Sequence, residues 1–163
     1  MAVDEAILAA VSAGSALPTL RLYGWEPPCL SLGYGQRFRD ADAARLAERG
    51  WDMVRRPTGG RAILHADELT YSLALPVDDP LARGGIVESY ERISQALVSA
   101  LTALGAAAQA VYAEKVAGTA LSPVCFDTPS HYEITVGRRK LVGSAQVRRR
   151  GGMLQHGTLP LTG

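Results

Sequence analysis

The sequence predicts an α+β domain in which a mainly antiparallel, mixed β-sheet packs against helices. Runs with the composition of strands follow one another along the chain, and a single long amphipathic helix, 87–104, lies between two groups of them. The chain has 163 residues, 47% hydrophobic and 20% charged, which is enough to bury a core without a disulfide or a structural metal. No repeat or boundary divides it, so residues 1–163 are expected to form a single domain.

The first part of the chain begins with a helix and continues in strands. Residues 2–13 place apolar side chains on one helical face, and a glycine follows to end the helix. The strand-like runs 19–25 and 29–35 are separated by Pro27 and Pro28, which cannot sit in a central ladder and therefore mark a connection.

A short helix is predicted over 40–49. Asp40 is its expected N-cap, and Gly50 stands just past its end. A strand is predicted over 51–57, and the Thr-Gly-Gly sequence at 58–60 predicts a sharp turn after it.

Further strand residues are predicted at 61–65 and 69–75, before the long helix 87–104. The apolar residues of that helix recur at spacings of three and four, which predicts a buried face made of Tyr90, Ile93, Leu97, Leu101 and Leu104.

The last predicted elements are strands. A loop rich in Gly, Ser and Pro follows residues 107–113 and contains Cys125, and after it 132–136 pair with 139–146 in a hairpin. The hairpin turn is Gly137-Arg138, a Gly-X dipeptide that suits a two-residue type II′ turn.

Composition predicts a cytoplasmic protein that does not enter a membrane. No apolar run approaches the roughly 20 residues of a membrane span, and the first residues carry two acids where a secretory signal carries basic residues. Cys29 and Cys125 lie far apart and form no metal-type pair, which predicts free thiols in a reducing compartment.

Charge is distributed unevenly along the chain. All 16 acidic residues lie at or before Glu133, whereas six of the 17 basic residues follow it, all of them in the stretch 137–150. This stretch is either a strand edge protected by its charge or a docking surface for an acidic partner, to which Arg148, Arg149 and Arg150 contribute. Nucleic acid is disfavoured because no aromatic residues interleave the basic ones.

Several familiar sites are absent from the sequence. It contains no P-loop, and Gly33-Tyr34-Gly35 lacks the third glycine of a dinucleotide fingerprint. The three histidines, His65, His131 and His156, do not have the spacing of zinc ligands, so no metal site is expected.

Three features remain as candidates for function. The glycines at 59–60, between strand residues Arg55-Arg56 and the next strand, form either a plain turn or a close backbone approach to a ligand. Cys125 is either an inert small side chain or a nucleophile, and Lys140 is either a surface residue or a point charge.

The candidate clusters, taken together, resemble a known family. The matching segments are MAVDEAIL, LSLGYGQ, VRRPTGGRAILHADELTYSL, CFDTPSHYEITVGRRKLVGSAQ and LQHGT, which span nearly the whole chain. As a set they resemble the biotin/lipoate protein ligase superfamily, which has the fold of class II aminoacyl-tRNA synthetases and biotin ligases. Members are longer, so the chain is expected to be truncated at both ends.

Within the superfamily, the chain is most similar to the cysteine-dependent octanoyltransferases of lipoate assembly. Arg61 replaces the third glycine usual in ATP-dependent lipoate ligases, and Cys125 stands where those ligases do not rely on a cysteine. The resemblance implies transfer of an octanoyl group from acyl carrier protein, through a thioester on Cys125, to a lysine of a lipoyl domain or a glycine-cleavage H-type protein. No cofactor is needed for this reaction, because the donor is already a thioester.

The resemblance also assigns site residues. It places Lys140 beside Cys125, where a cation favours the thiolate. Backbone groups of 59–60 and 143–145 are expected to bind the acyl carbonyl oxygen, and the histidines to line the acyl pocket or relay a proton. The predicted substrate-binding residues are Arg55, Arg56, Gly59, Gly60, Arg61, His65, Gly143, Ser144, Ala145 and His156.

Two alternatives stay open at this point. The chain is an ATP- and Mg-dependent lipoate ligase if Arg55, Arg56 and the glycine turn grip an acyl-adenylate and Cys125 is incidental. It is an inactive fragment that binds an acyl group or a carrier if essential parts of the domain are missing.

Overall fold

The structure is a computed structural model that describes residues 1–112, 132–137, 139–149 and 151–162. Cys125, His131, Arg138 and Arg150 lie outside these residues. The described helices are α1 (Ala2–Ser12), α2 (Ala43–Glu48) and α3 (Ile86–Ala103), with a short 3-10 turn at Phe38–Asp40. The described strands are β1 (Thr19–Tyr23), β2 (Cys29–Leu32), β3 (Asp52–Arg55), β4 (Ile63–His65), β5 (Glu68–Pro76), β6 (Ala108–Tyr112), β7 (Tyr132–Val136), β8 (Arg139–Arg149) and β9 (Gly152–Pro160).

The strands form two sheets. The larger has six strands in the order β1-β5-β9-β8-β7-β6, and every neighbouring pair in it is antiparallel. The smaller has the order β3-β2-β4, with β2 parallel to β3 and antiparallel to β4. The predicted α+β class with a mainly antiparallel, mixed arrangement is confirmed, although its division into two sheets was not predicted.

The six-stranded sheet is covered on both faces by helices. Leu8 and Val11 of α1 pack against Ala74 and Leu154 on one face. On the other face, α3 packs through residues of its predicted apolar stripe, and the buried sheet residues there are Tyr71, Leu75, Ile134, Val142 and Met153. None of the helices in the described part of the chain is both long and apolar enough to cross a membrane.

Two local predictions are wrong. The N-cap of α2 is Asp42, whose side chain accepts a hydrogen bond from the Arg45 amide, whereas Asp40 belongs to the preceding 3-10 turn. Leu104 is 84% exposed, because α3 ends at Ala103 and the stripe ends with it. The periodicity identified the helix correctly but not its last turn.

Strand β9 was not predicted, although it lies at the centre of the larger sheet between β5 and β8. Residues 152–158 are all buried, so this strand has covered side chains on both faces. A strand of this kind lacks the alternation of apolar and polar residues by which half-exposed strands are found.

Arg148 has a structural position that the prediction of a docking surface did not anticipate. Its guanidinium donates hydrogen bonds to the carbonyl oxygens of Ala82, Gly84 and Gly85 and to the Ser89 hydroxyl. These contacts tie β8 to the segment that leads into α3. The Arg148 guanidinium therefore makes its contacts within the fold. Arg149 is exposed, and Arg150 lies outside the described residues.

We expect Arg148→Gln to lower the free energy of unfolding by about 2 kcal/mol, because several carbonyl oxygens lose a charged donor at once. Urea denaturation measures the change. The control is Arg139→Gln, the same substitution at an exposed position of β8, which should change stability by less than about 0.5 kcal/mol. Equal effects of the two substitutions would contradict the structural role of Arg148.

Candidate active site

A cavity lies between the two sheets. The empty space in it, counted together with the part that opens to solvent, is about 590 Å³. The accessible surface of its wall is mainly apolar. The smaller sheet and the turn beside it contribute one wall, and strands β5, β8 and β9 contribute the other. The lining residues are Met1, Arg56, Gly60, Ile63, His65, Thr70, Lys140, Gly143, Ser144, Ala145, His156, Gly157 and Thr158.

A β-bulge brings Lys140 to this cavity. On β8, Gly143 and Ala145 face the cavity, and a regular strand would turn Lys140 toward the opposite face because side chains alternate. The pairing of β7 with β8 shifts register: Ile134 pairs with Val142 but Thr135 pairs with Lys140. The extra residue between them reverses the alternation, so Lys140 shares the cavity face while Val142 is buried under α3.

The Lys140 ammonium forms an ion pair with Glu133. Their Nζ and Oε1 atoms are 2.8 Å apart, and the two side chains are 9% and 13% exposed. Glu133 lies on β7, the strand next to β8, and is not among the lining residues. The carboxylate therefore contacts the cavity-lining lysine without lining the cavity itself.

The glycine turn is held in place by the buried guanidinium of Arg56. This group donates to the carbonyl oxygens of Ser31, Gly59 and Arg61 and to the Ser31 hydroxyl. Gly60 has a φ of 89°, which L side chains rarely adopt. A Cβ atom at Gly33 would overlap the Gly60 carbonyl oxygen, so the close approach of these two backbones requires glycine at 33.

Ser144 is fixed by two tyrosines from the α3 side of the sheet. The Tyr71 hydroxyl donates to the Ser144 Oγ at 2.8 Å, and the Tyr90 hydroxyl donates to its carbonyl oxygen at 2.8 Å. Gly157 lies beside them on β9, where a Cβ atom would approach Tyr71 and Ser144 to within 2.6 Å. The floor of the cavity is therefore rigidly packed.

His65 is enclosed by buried partners. Its Nδ1 lies 2.7 Å from the Glu68 carboxylate, its Nε2 lies 2.7 Å from the Ser31 hydroxyl, and Trp25 stacks on the ring. Burial raises the pKa of Glu68, but hydrogen bonds from His65 and other neighbours outweigh it and keep that pKa below its usual value. With both ring nitrogens engaged, His65 serves as a fixed wall of the cavity in this arrangement.

His156 has a different environment. Its Nε2 lies 2.6 Å from the Thr58 hydroxyl, whereas its Nδ1 has no hydrogen-bond partner among the described residues and lies 3.9 Å from the Asp4 carboxylate. Burial lowers the pKa of His156 and outweighs the opposing effect of Asp4. The imidazole is therefore neutral at pH 7.

Asp4 is a fully buried acid in the first turn of α1. It accepts hydrogen bonds from Arg21 at 2.8 Å and from the Tyr23 hydroxyl at 2.9 Å. Burial alone would raise the pKa of Asp4, but the polar groups of His156, Tyr23, Arg21 and Ser72 around it lower that pKa to about 2. The charged carboxylate thus stays in the fold at neutral pH.

The structure brings most of the predicted site residues together. Those that line the cavity are Arg56, Gly60, His65, Lys140, Gly143, Ser144, Ala145 and His156. Three predicted residues are described but do not line it, namely Arg55, Gly59 and Arg61. The Arg55 guanidinium instead donates to the carbonyl oxygens of Gly33, Tyr34 and Gln36. Cys125 lies outside the described residues, and the roles assigned to all these residues remain predictions.

Residues that the prediction did not single out also belong to the site. Ile63, Gly157 and Thr158 line the cavity and lie inside segments that carried the resemblance, so proximity to those motifs was the available signal. Glu133 also lies inside one of those segments, but its contact with Lys140 depends on strand pairing, which the sequence does not show. Among the described residues, no group of three or more His, Cys, Asp or Glu side chains is arranged to hold a metal ion.

The other cysteine, Cys29, is a buried free thiol at the start of β2. Burial raises the pKa of this thiol to about 11, with a further contribution from the nearby Asp52 carboxylate. A thiol of this kind is a poor nucleophile at neutral pH.

The fold and the cavity define a domain of the lipoate ligase type, and sequence comparison agrees. The pattern of the lipoyl protein ligase A/B catalytic domain matches residues 1–163. The chain therefore belongs to this family, as the resemblance in the sequence indicated.

Individual relatives and one solved structure show which proteins of the family the chain is similar to. The chain is 50% identical to the octanoyltransferase LipM of Moorella thermoacetica and 49% identical to that of Kyrpidia tusciae, each over 99% of this chain. It spans 60% and 61% of the length of these two relatives. Among solved structures, a lipoate-protein ligase A bound with ATP is 26% identical, with a TM-score of 0.77 over 99% of this chain and 61% of that one.

We expect the stabilising contribution of Asp4 to depend on pH. The pKa of this group is lower in the folded protein than in the unfolded chain, so the contribution is present above about pH 4 and is lost as the pH falls toward 2. Asp4→Asn should lower the free energy of unfolding by about 2 kcal/mol at pH 7, and the difference from the unchanged protein should shrink in acid.

Urea denaturation from pH 7 to pH 2.5 tests this prediction, with Asp78→Asn as the matched change at an exposed position. A difference between Asp4→Asn and the unchanged protein that stays constant over this range would show that the carboxylate charge is not the source of the effect.

Proposed function

We propose that the chain is the catalytic part of an octanoyltransferase that acts in protein lipoylation through a thioester on Cys125. The observation that carries the proposal is the mainly apolar cavity with the Lys140 ammonium in its wall. An apolar wall suits a medium-length acyl chain, and a cation beside it suits a reaction that develops negative charge at a thiol and a carbonyl oxygen. The similarity to octanoyltransferases LipM supports the same choice.

The proposed reaction has two balanced steps. In the first, the Cys125 thiolate attacks the carbonyl carbon of an octanoyl thioester, a new thioester forms on the enzyme, and the carrier thiol leaves with the proton. In the second, the amine of an acceptor lysine attacks the enzyme thioester, an amide forms, and the Cys125 thiol is released. No nucleotide is consumed, because the carbonyl is activated throughout.

Lys140 and the buried network have separate parts in this proposal. The Lys140 ammonium stabilises the thiolate and the developing oxyanion. His65, locked by Glu68 and Ser31, shapes the acyl pocket, and backbone groups near Gly60 and Ala145 face the carbonyl end of the substrate. Arg56 contributes indirectly by fixing the turn that contains Gly60.

The partners follow from the proposed chemistry. The donor is octanoyl-acyl carrier protein, and the acceptor is a lipoyl domain or a glycine-cleavage H-type protein.

We propose that residues 1–163 act as one catalytic unit without a cofactor. The free Cys29 thiol supports a reducing compartment such as the cytoplasm.

A second candidate is an ATP-dependent lipoate ligase acting through an acyl-adenylate. It is favoured by the structural similarity to a lipoate-protein ligase A bound with ATP. This reaction requires ATP and magnesium and does not require Cys125, so the two candidates predict opposite results in one assay.

We expect Cys125, and not Cys29, to become octanoylated when the chain is incubated with octanoyl-acyl carrier protein after apyrase and EDTA treatment. Cys29 should stay unmodified because burial raises the pKa of its thiol to about 11. Intact-mass analysis measures the adduct, neutral hydroxylamine should remove it, and peptide mapping locates it.

The variant Cys29→Ser is the matched control and should keep the adduct, whereas Cys125→Ser should lose it. An adduct that forms only with ATP and free octanoate, and that survives in Cys125→Ser, would move the assignment to the ligase candidate.

A further inference from the structure

The ion pair between Lys140 and Glu133 is the starting point for a further inference. Its two charged atoms are 2.8 Å apart, and both side chains are close to nine-tenths covered. A contact this short and this shielded from solvent is stronger than the exposed pairs common on protein surfaces.

The position of Glu133 separates it from the substrate. Lys140 lines the cavity, but Glu133 does not, and it reaches the lysine from the neighbouring strand β7. The ion pair with Lys140 therefore connects Glu133 to the cavity.

A lysine side chain on its own would not stay where the bulge directs it. Its four-carbon stem has several rotatable bonds and loses substantial conformational entropy when the ammonium is held at one point. The β-bulge turns Lys140 toward the cavity, and the Glu133 carboxylate supplies a close, charged contact to its Nζ. The backbone bulge thus sets the direction of the Lys140 side chain, and the Glu133 carboxylate helps to set the position of its Nζ atom.

We infer that Glu133 is a positioning residue of this site, whose carboxylate holds the Lys140 ammonium at the cavity wall where it acts on the acyl thioester. The inference rests on the proposed function, and it adds a residue to the site. Glu133 neither touches the substrate nor transfers a proton. It determines where the positive charge stands.

The ion pair can be tested without any acyl transfer, because the chain has only two lysines, Lys115 and Lys140. Acetic anhydride reacts only with the deprotonated amine, and a neighbouring carboxylate holds a lysine in its ammonium form. We expect Glu133→Gln to speed the acetylation of Lys140 by acetic anhydride about fivefold, with Lys115 as the internal reference in peptide mass spectrometry. An unchanged rate at Lys140 would show that the pair does not control the lysine, and the inference would be wrong.

The effect on catalysis is tested by a double-mutant cycle on octanoyl transfer from a small octanoyl thioester to Cys125. Glu133→Gln should lower the single-turnover rate constant at saturating thioester about tenfold with little change in the half-saturating thioester concentration. Glu133→Asp should recover part of the loss, and Glu133→Gln should cost less than about twofold when added to Lys140→Met. A merely structural glutamate would cost about the same in both backgrounds.

The control is Glu48→Gln, which makes the same charge change at the exposed end of α2 and should keep the rate of the unchanged protein. Urea midpoints check that each variant folds. A tenfold loss in the Lys140→Met background, or no loss in Glu133→Gln alone, would overturn the inference and leave the proposed function standing. Absence of transfer to Cys125 in the unchanged protein would instead contradict the proposed function, and the inference would fall with it.

Discussion

The site depends first on the buried guanidinium of Arg56. This group is 3% exposed and joins strand β2 to the glycine turn by donating to carbonyl oxygens on both. Without it the buried Ser31 oxygens and the partly buried carbonyl oxygens of the turn would lose a charged donor, which is costly. Because the turn fixed by Arg56 forms part of the cavity wall, the shape of the space between the two sheets depends on this cation.

Two backbone features then decide what faces that space. Glycine at 33 permits the close approach to Gly60, and the bulge between β7 and β8 turns Lys140 to the same side as Gly143. Neither feature adds a functional group. Each determines the direction of groups that the sequence already contains, which is how a common sheet architecture acquires a particular site.

Sequence reasoning recovered the parts of this structure that depend on local pattern. The three helices and seven of the nine described strands follow from periodicity and turn residues, and the clusters around Arg56, Lys140 and His156 were identified as candidates. Strand β9 was missed because burial on both faces removes its alternation. Glu133 and the structural role of Arg148 were missed because both depend on contacts between elements that no local pattern records.

The claim that the cavity between the sheets holds the acyl chain is tested most directly by photolabelling. An octanoyl pantetheine thioester with a diazirine at its far end is incubated with the chain and irradiated, and the labelled peptides are identified by mass spectrometry. Labels on the cavity residues Ile63, Thr70 and Thr158, competed away by octanoyl thioester, are the predicted result. Labels on the exposed β1 residues Leu20 and Leu22 instead would contradict it.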